Sequence, residues 1–265
     1  FKAKRKLNLM EKKIVIIGAN SFIGKNLVKE IGEKRCIQLS STKKNNLINF
    51  NLGDDLNTLI KYPDEVEKII LLSWDRRNIK KEGKNINIFG IEKIYEYAKE
   101  KGIPIFFASS VSAISKVSLY GMNKFLCENI LKENENNRIL RLGMVLSENG
   151  GLIYKINKIF SKLPIIFVPG NGNFKVNFVK VETVIKKFLL NPDNLSQTEN
   201  IVDLNEKFIN FLVTKNKLKL YVPHILTKFI LFIFTKVFQI NSSFTYDGYL
   251  SLINDPNEIE IGSNE

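Results

Sequence analysis

The stretch Ile14-Val-Ile-Ile-Gly-Ala-Asn-Ser-Phe-Ile-Gly24 decides the fold. Its first four residues form a continuous apolar run, which is typical of a strand buried on both faces of a parallel sheet. Gly18 and Gly24 then frame a short loop that leads into a helix predicted over residues 22–32. In dinucleotide-binding sheets, a first glycine in this position lets the backbone approach a diphosphate, and the helix N-terminus offers unpaired N–H groups.

Ser21 stands where the usual three-glycine pattern has its middle glycine. Its hydroxyl can either cap the helix or bind a phosphate, and both roles remain open. The loop predicts a diphosphate site, whose residues are Gly18, Ser21, Phe22, Ile23 and Gly24.

Strand and helix signals alternate along the first half of the chain. Strands are predicted at residues 14–17, 36–39, 47–50, 68–73, 104–109 and 138–142, with helices at 22–32, 54–62, 86–100 and 118–133. This alternation predicts an α/β fold with a doubly wound parallel sheet of the Rossmann type. We expect a dinucleotide-binding domain over residues 10–145.

The order of elements loosens after residue 143. The pattern predicts helices at 152–162, 181–190, 205–216, 223–240 and 246–253, and strands at 165–168, 174–180 and 200–204. We expect residues 146–265 to form a smaller C-terminal α/β lobe that binds the substrate.

Composition narrows the class of protein. Of the 265 residues, 44% are hydrophobic and 25% are charged, which are globular values. Cys36 and Cys127 are too few for a disulfide framework and suit a reducing compartment, so we expect a cytoplasmic protein. A single histidine, His224, excludes most zinc sites, and no metal site is expected. Met10 lies a few residues before the first strand, so we interpret residues 1–9 as either an upstream extension or an artefact of fragmentation.

The net charge of +13 leaves two interpretations open. Only six of the 40 basic residues are arginine, and Lys, Asn and Ile are frequent throughout, as a biased base composition would produce. The alternative is an anionic partner, such as a nucleotide, nucleic acid or membrane. The diffuse, lysine-rich charge disfavours nucleic acid.

Residues 222–240 contain the most apolar stretch, Phe229-Ile-Leu-Phe-Ile-Phe234. The stretch is shorter than the roughly 20 apolar residues that a spanning helix requires. We favour a core helix, with a peripheral membrane helix as the alternative.

Tyr120 and Lys124 are four residues apart in a predicted helix, so both side chains lie on one helical face. A neighbouring ammonium favours the phenolate form of a tyrosine, which can then exchange a proton with a hydroxyl or carbonyl substrate. The pair follows a buried strand that ends in Ala108-Ser-Ser110. This context makes an otherwise common spacing specific.

The second strand ends in Leu39-Ser-Ser-Thr-Lys-Lys44. An NAD-binding sheet has at this place an acidic side chain that binds the adenosine 2′-hydroxyl. Here hydroxyls and lysines, among them Ser40 and Lys43, would tolerate a 2′-phosphate. The sequence therefore favours NADP over NAD.

Taken together, several motifs in the same order resemble the extended short-chain dehydrogenase/reductases, in the NAD-dependent epimerase/dehydratase group that acts on nucleotide sugars. The resemblance covers about residues 13–185. Its motifs are the loop 18–24, Asn51-Leu52, Leu71-Leu-Ser73, Asn87-Ile-Phe-Gly-Ile-Glu-Lys-Ile-Tyr-Glu-Tyr-Ala98, Phe107-Ala-Ser-Ser110, the pair Tyr120 and Lys124, Arg141-Leu-Gly-Met-Val-Leu146, and Phe178-Val-Lys-Val-Glu-Thr-Val184.

The resemblance implies an NAD(P)-dependent enzyme of nucleotide-sugar metabolism, with surface-polysaccharide biosynthesis as its setting. Its implied catalytic residues are Ser110, Tyr120 and Lys124. The implied cofactor contacts include the loop residues named above, Ser40, Lys43, Tyr120 and Lys124. They further include Asn51, Leu52, Leu72, Ser73, Asn87 and Ser109. The candidate substrate contacts are Trp74, Arg76, Met144, Gly172 and Lys175. A homodimer is an open alternative to a monomer.

Three features depart from the family pattern. Tyr120 lies only ten positions after Ser110, about half the usual interval. Asn51 and Thr183 replace acids. These departures keep two rivals open: a cofactor-binding regulator or assembly factor without turnover, and an RNA-binding member of the fold.

Overall fold

A computed structural model describes residues 12–42, 46–77, 79–212, 217–233 and 245–256. Its strands are β1 (Lys13–Ile17), β2 (Cys36–Ser40), β3 (Ile48–Asn49), β4 (Val66–Leu71), β5 (Lys80–Lys81), β6 (Lys84–Asn85), β7 (Ile105–Ser110), β8 (Arg138–Leu142), β9 (Met144–Leu146), β10 (Ile165–Pro169), β11 (Lys175–Lys180), β12 (Thr198–Ile201), β13 (Leu204–Lys207) and β14 (Leu218–Val222). Its helices are α1 (Phe22–Ile31), α2 (Ile86–Lys101), α3 (Ser112–Ser115), α4 (Leu119–Leu131), α5 (Gly151–Phe160), α6 (Val181–Leu189), α7 (His224–Phe232) and α8 (Tyr246–Ile253).

The main sheet confirms the predicted Rossmann type. Seven strands lie in the order β12-β8-β7-β4-β1-β2-β3. The pairs β1 with β2, β1 with β4, β2 with β3, and β8 with β12 are all parallel. The order reverses beside β1, and ligands of such sheets bind at the carboxyl ends of the strands on either side of the reversal. The strand β12, which extends the sheet beyond the six predicted strands, is the seventh.

The centre of the sheet is as apolar as the sequence predicts. Val15, Ile16 and Ile17 of β1 are completely buried, and so are Ile69 and Ile70 of β4. A strand between two neighbours and under helices loses solvent on both faces, which explains the uninterrupted apolar run.

The chain divides into two compact units, Phe1–Phe106 and Phe107–Glu265. Within the second unit, β9, β11 and β13 form a three-stranded sheet, and β10 pairs with β14. An apolar cluster that includes Ile153, Val176 and Phe178 fills the interior of this second unit.

Two predicted helices are wrong. Residues 54–62 form only a 3₁₀ turn at Leu56–Thr58, which the Asp55 carboxylate caps by accepting the N–H of Asn57. The Thr58 hydroxyl donates to the Asp55 carbonyl, a local bond that competes with regular helix. In the range 205–216, the described part begins as β13, which pairs antiparallel with β11. Pairing with an available strand edge overrides the helical pattern there.

The range 217–240 also differs from the prediction. Residues 218–222 form the unpredicted strand β14, parallel to β10. The helix predicted at 223–240 is present in its described part as α7, but its expected place in the core is wrong, because α7 has no buried residue. Residues 234–240 lie outside the described residues.

Asp255 fastens the chain after α8 to β11. Its Oδ2 accepts the backbone N–H of Asn177 at 2.7 Å and the Asn177 amide at 3.1 Å. Burial outweighs these two bonds and raises the pKa of the Asp255 carboxyl to about 6.

We expect this carboxyl to make stability depend on pH. Its folded pKa lies above the value of about 3.9 in an unfolded chain, so the folded state holds more protons between these values. The free energy of unfolding should therefore fall by about 2–3 kcal/mol as the pH rises from about 4 to about 7. Asp255→Asn keeps an oxygen acceptor without the charge and should flatten this part of the profile in urea unfolding. Asp193→Asn, at an exposed carboxylate, is the control, and an equal effect of both variants would contradict the assignment.

Candidate functional site

The loop after β1 turns tightly against its neighbours. Gly18 has a φ of +97°, and its N–H donates to the carbonyl of Leu39 at 2.8 Å. A Cβ on Gly18 would lie 2.9 Å from the backbone nitrogen of Ser73, and one on Gly24 would lie 2.7 Å from the carbonyl oxygen of Ala19. Both positions therefore require glycine, as the packing of a dinucleotide-binding turn does.

Ser21 caps α1. Its Oγ accepts the N–H of Gly24 at 3.0 Å, so the hydroxyl takes the first of the two roles that the sequence left open. Phe22 and Ile23 are the first residues of the helix, where N–H groups have no intrahelical acceptor. These N–H groups and the positive end of the helix dipole can hold a phosphate.

Ser40 is the last residue of β2 and is buried. Its Oγ accepts the N–H of Thr42 at 3.2 Å, which turns the chain as it leaves the sheet. Lys43, the other residue on which the NADP preference depends, lies outside the described residues.

Asn51 is exposed after β3, and its N–H donates to Asp54 Oδ2 at 2.6 Å. Asp54 thus brings a carboxylate to the place where the family pattern has an acid. Leu52 contacts α2 so closely that a Cβ on Gly90 would lie 2.7 Å from the Leu52 Cβ.

The end of β4 is fixed by its neighbours. The N–H groups of Leu72 and Ser73 both donate to the carbonyl of Ile17, at 2.8 and 3.0 Å. Asn87 is buried in the first turn of α2, where its Oδ1 accepts the N–H of Asp75 at 2.7 Å and its Nδ2 donates to the Asp75 carbonyl at 2.8 Å. These side-chain bonds of Asn87 hold the loop after β4, and its direct contact with a cofactor stays a prediction.

The loop after β4 contains two arginines whose side chains have different surroundings. Arg77 donates to both carboxylate oxygens of Asp75, the shortest distance being 2.6 Å. This bonding lowers the pKa of Asp75. Arg76 is exposed and Trp74 is half-buried, so Arg76 is the better placed of the two arginines to meet an anion from solution.

The two serines at the end of β7 differ in environment. Ser109 is buried, and its Oγ donates to Glu128 Oε1 at 2.5 Å. Ser110 is half-buried, and its Oγ donates to the hydroxyl of Ser112 at 3.2 Å. Of the two, Ser110 is therefore the hydroxyl that a substrate can reach.

The short interval between Ser110 and Tyr120 is an ordered helical turn, α3. The backbone of Gly121 packs against the carbonyl of Ser112, where a Cβ would clash. Ser118 caps α4 by accepting the N–H of Gly121 at 3.0 Å, and its hydroxyl lies 2.6 Å from that of Ser251.

Lys124 is only 3% exposed. Its Nζ donates to the carbonyl of Ala108 at 2.6 Å and lies 4.4 Å from the centroid of the Phe107 ring. The same Nζ is 5.8 Å from the centroid of the half-buried Tyr120 ring. At this distance the buried ammonium is within range of a cation–π interaction with the phenol ring.

Glu128 follows Lys124 by one helical turn and is fully buried. Arg141 of β8 donates to both its oxygens, from Nε at 2.9 Å and from Nη2 at 2.6 Å. With the bond from Ser109, the carboxylate ties α4 to β7 and β8, so the positions of Lys124 and of the β7 end depend on it.

The candidate substrate residues of the second unit are not alike. Met144 pairs with Phe178 in the sheet and packs against the apolar cluster. Gly172 has a φ of +71°, and a Cβ there would lie 2.7 Å from Val168 Cγ1. Lys175 is exposed, opposite Lys207 of β13. The structure gives Met144 and Gly172 packing roles and leaves Lys175 open to an anion.

Thr183 occupies the position at which the family pattern has an acid. Its hydroxyl donates to Asp203 Oδ2 at 3.0 Å, and the same oxygen accepts the N–H of Lys180 at 2.6 Å. Asp203, in the turn between β12 and β13, thus places a carboxylate beside Thr183.

The described ranges show neither a metal-binding cluster nor a membrane-spanning helix. They contain no cluster of three His, Cys, Asp or Glu side chains that could hold a metal ion. No helix within them is both long enough and apolar enough to cross a membrane.

No family model matches the chain, and no curated protein matches it in sequence. Solved structures match its fold. An L-threonine dehydrogenase from Phytophthora infestans has a TM-score of 0.66 at 15% identity, over 94% of this chain and 95% of that one. The chain shares the fold of a known dehydrogenase.

Two further matches have the same fold. The Helicobacter pylori ADP-L-glycero-D-manno-heptose-6-epimerase has a TM-score of 0.65 at 13% identity, over 80% of this chain and 86% of that one. MoeE5, solved in complex with UDP-glucuronic acid and NAD, has a TM-score of 0.60 at 15% identity, over 80% and 85%. The resemblance to extended short-chain dehydrogenase/reductases is thus confirmed at the level of the fold.

Sequence reasoning missed the residues that hold the candidate site together. Glu128 lies four residues beyond Lys124, a spacing that places both on one face of α4. Arg141 interrupts an otherwise apolar strand core. These two signals could have suggested the ion pair, whereas nothing local in the sequence connects Asp203 to Thr183.

We expect Glu128→Gln to destabilise the protein by roughly 2–4 kcal/mol, because it leaves the Arg141 guanidinium without its counter-charge in a largely buried place. Urea unfolding measures this loss. Glu92→Gln, which breaks the surface pair with Lys84, is the control and should cost no more than about 1 kcal/mol. Equal costs for both variants would show that the Glu128 pair does not support the fold.

Proposed function

We propose that the chain is an NAD(P)-dependent oxidoreductase or epimerase of the extended short-chain dehydrogenase/reductase group, acting on a nucleotide-activated sugar in the cytoplasm. The observation that carries the proposal is the buried ammonium of Lys124 beside the ring of Tyr120, on a helix that follows a strand ending in Ser110. The MoeE5 structure, of the same fold, holds a UDP-sugar acid and NAD.

The first unit would hold the cofactor. The glycine backbone at Gly18 and Gly24 has the close packing that a diphosphate-binding turn needs, and the N–H groups of Phe22 and Ile23 begin the helix that would face the diphosphate. The loops at Ser40, at Asn51 and Leu52, and at Leu72 and Ser73 follow strands of this sheet at their carboxyl ends. When bound, NAD(P) would supply the carbon that accepts and returns a hydride.

The second unit would handle the proton. Tyr120, as phenolate, would take the proton from a sugar hydroxyl when that carbon loses a hydride, and would return it in the reverse step. Lys124 would stabilise the phenolate by its charge. The Ser110 hydroxyl would donate a hydrogen bond to the substrate oxygen as charge develops there.

Tyr120→Phe should lower turnover at least about 100-fold, because it removes only the oxygen that exchanges the proton. The assay follows NADH or NADPH absorbance, and product formation, with UDP-glucose and UDP-glucuronic acid as probes. Tyr62→Phe, at an exposed tyrosine of the first unit, is the control. Equal turnover of Tyr120→Phe and wild type would refute the role of Tyr120. A wild type that binds the cofactor but turns over no substrate would favour the regulator.

Cofactor preference is tested separately. Because residues 39–44 offer hydroxyls and lysines but no carboxylate, NADP should raise the melting temperature more than NAD. Lys43→Asp should reduce the NADP shift more than the NAD shift. A larger shift with NAD in the wild type would overturn the preference.

A smaller secondary alcohol is a second candidate substrate. Structures of L-threonine dehydrogenases match 80% to 94% of this chain, against 80% for the nucleotide-sugar enzymes above. The short turn between Ser110 and Tyr120 also leaves less chain to enclose a nucleotide sugar. Reduction of NAD with L-threonine, but with no UDP-sugar, would favour this candidate.

A further inference from the structure

The second unit exposes a set of large apolar side chains, on the β10–β14 pair and on the helix that follows it, that the proposed function does not use. We name it the lobe surface. Its residues are Ile165 and Phe167 of β10, Leu218 and Leu220 of β14, and Ile225, Leu226, Phe229, Ile230 and Phe232 of α7.

The strand part of the lobe surface is one face of a two-stranded sheet. Ile166 and Val168 of β10 are buried, whereas the alternate residue Phe167 is 52% exposed. Phe167 pairs with Leu220, and Ile165 pairs with Leu218, which is 67% exposed. Paired residues of neighbouring strands point to the same side, so four apolar side chains share the outer face.

The helical part continues directly from β14. Ile225 is 84% exposed and Phe229 is 59% exposed, and both lie on one helical face with Phe232. The start of the helix is fixed, because His224 Nδ1 lies 2.6 Å from the hydroxyl of Tyr249, and the His224 ring packs where a side chain on Gly170 would clash. The helix is thus anchored at its first residue and presents its apolar residues outward.

The segments that form the lobe surface, together with α5, carry charge of one sign. Residues 151–170 and 217–233 contain six lysines and no aspartate or glutamate. The lysines are Lys155, Lys158, Lys162, Lys217, Lys219 and Lys228. Lys217 Nζ donates to the carbonyl of Leu163 at 2.6 Å, which joins the end of the α5 segment to the start of β14. Basic side chains therefore lie in β14 and α7 and in the α5 segment, whereas β10 contains none.

We propose that the lobe surface binds the face of an anionic lipid bilayer. Large apolar side chains enter the boundary between headgroups and acyl chains, and lysines attract anionic headgroups. A nucleic acid would use the lysines but not this number of exposed aliphatic side chains. A second copy of the chain would bring the same positive charge against itself, with no carboxylate in these ranges to compensate it. The proposal is independent of the proposed catalytic function.

The apolar contribution is tested with the full chain and sedimented vesicles. Wild type should bind vesicles of phosphatidylcholine with phosphatidylglycerol and bind pure phosphatidylcholine at least about tenfold more weakly. The double variant Ile225→Glu with Phe229→Glu should lose most of the binding, at an unchanged melting temperature. Tyr62→Glu, at an exposed aromatic of the first unit, is the control and should bind like wild type.

The electrostatic contribution is tested by charge reversal. Lys158→Glu with Lys228→Glu should lower the partition coefficient at least about tenfold, and raised salt should lower that of wild type. Lys29→Glu with Lys34→Glu, at exposed lysines of the first unit, makes the same change in net charge and should have a much smaller effect.

Four results would overturn the proposal. The first is absence of wild-type binding to anionic vesicles, and the second is equal loss in the two lysine variants, which would indicate net charge alone. The third is a wild-type dimer in sedimentation velocity that the Ile225 and Phe229 variant dissociates, which would assign the surface to a second copy. The fourth is a large fall in the melting temperature of that variant, which would show that the chain itself covers the surface.

Discussion

Burial of the Lys124 ammonium is the constraint on which the candidate catalytic residues depend. A charge that is removed from water is costly unless the surrounding groups compensate it. Here the carbonyl of Ala108 and the rings of Phe107 and Tyr120 surround the ammonium. Because these partners come from the end of β7 and from the same helix as the lysine, the position of Tyr120 is linked to the strand that carries Ser110.

One turn further along α4, Glu128 is a second buried charge that its neighbours compensate. Its carboxylate receives two bonds from the Arg141 guanidinium and one from the Ser109 hydroxyl, so no oxygen of this buried group lacks a donor. An ion pair of this kind contributes little net stability compared with apolar packing, but it fixes one arrangement of its elements. The two serines differ because of this ion pair: the hydroxyl of Ser109 donates to the Glu128 carboxylate, whereas Ser110 is half-buried and does not.

The sequence predicted what periodicity and glycine spacing encode. The apolar run at residues 14–17, the loop from Gly18 to Gly24 and the sheet type follow from local rules that the structure obeys. The pairing of β13 with β11 and of β14 with β10 does not follow, because a short strand is defined by the partner that it finds. The contact of the Asp203 carboxylate with Thr183 could not be predicted for the same reason. The two residues are twenty positions apart, and only the tertiary fold brings them together.

The contact of the His224 ring with the bare backbone of Gly170 has a consequence for how such a chain can evolve. Any larger residue at this position would shift the root of α7 and redirect the apolar side chains that the helix displays. Neither residue belongs to the dinucleotide loop or to the Tyr120 and Lys124 pair. A single substitution at Gly170 would therefore alter the surface that α7 presents while it leaves the dinucleotide loop and the Tyr120 and Lys124 pair in place, so the two features can vary independently.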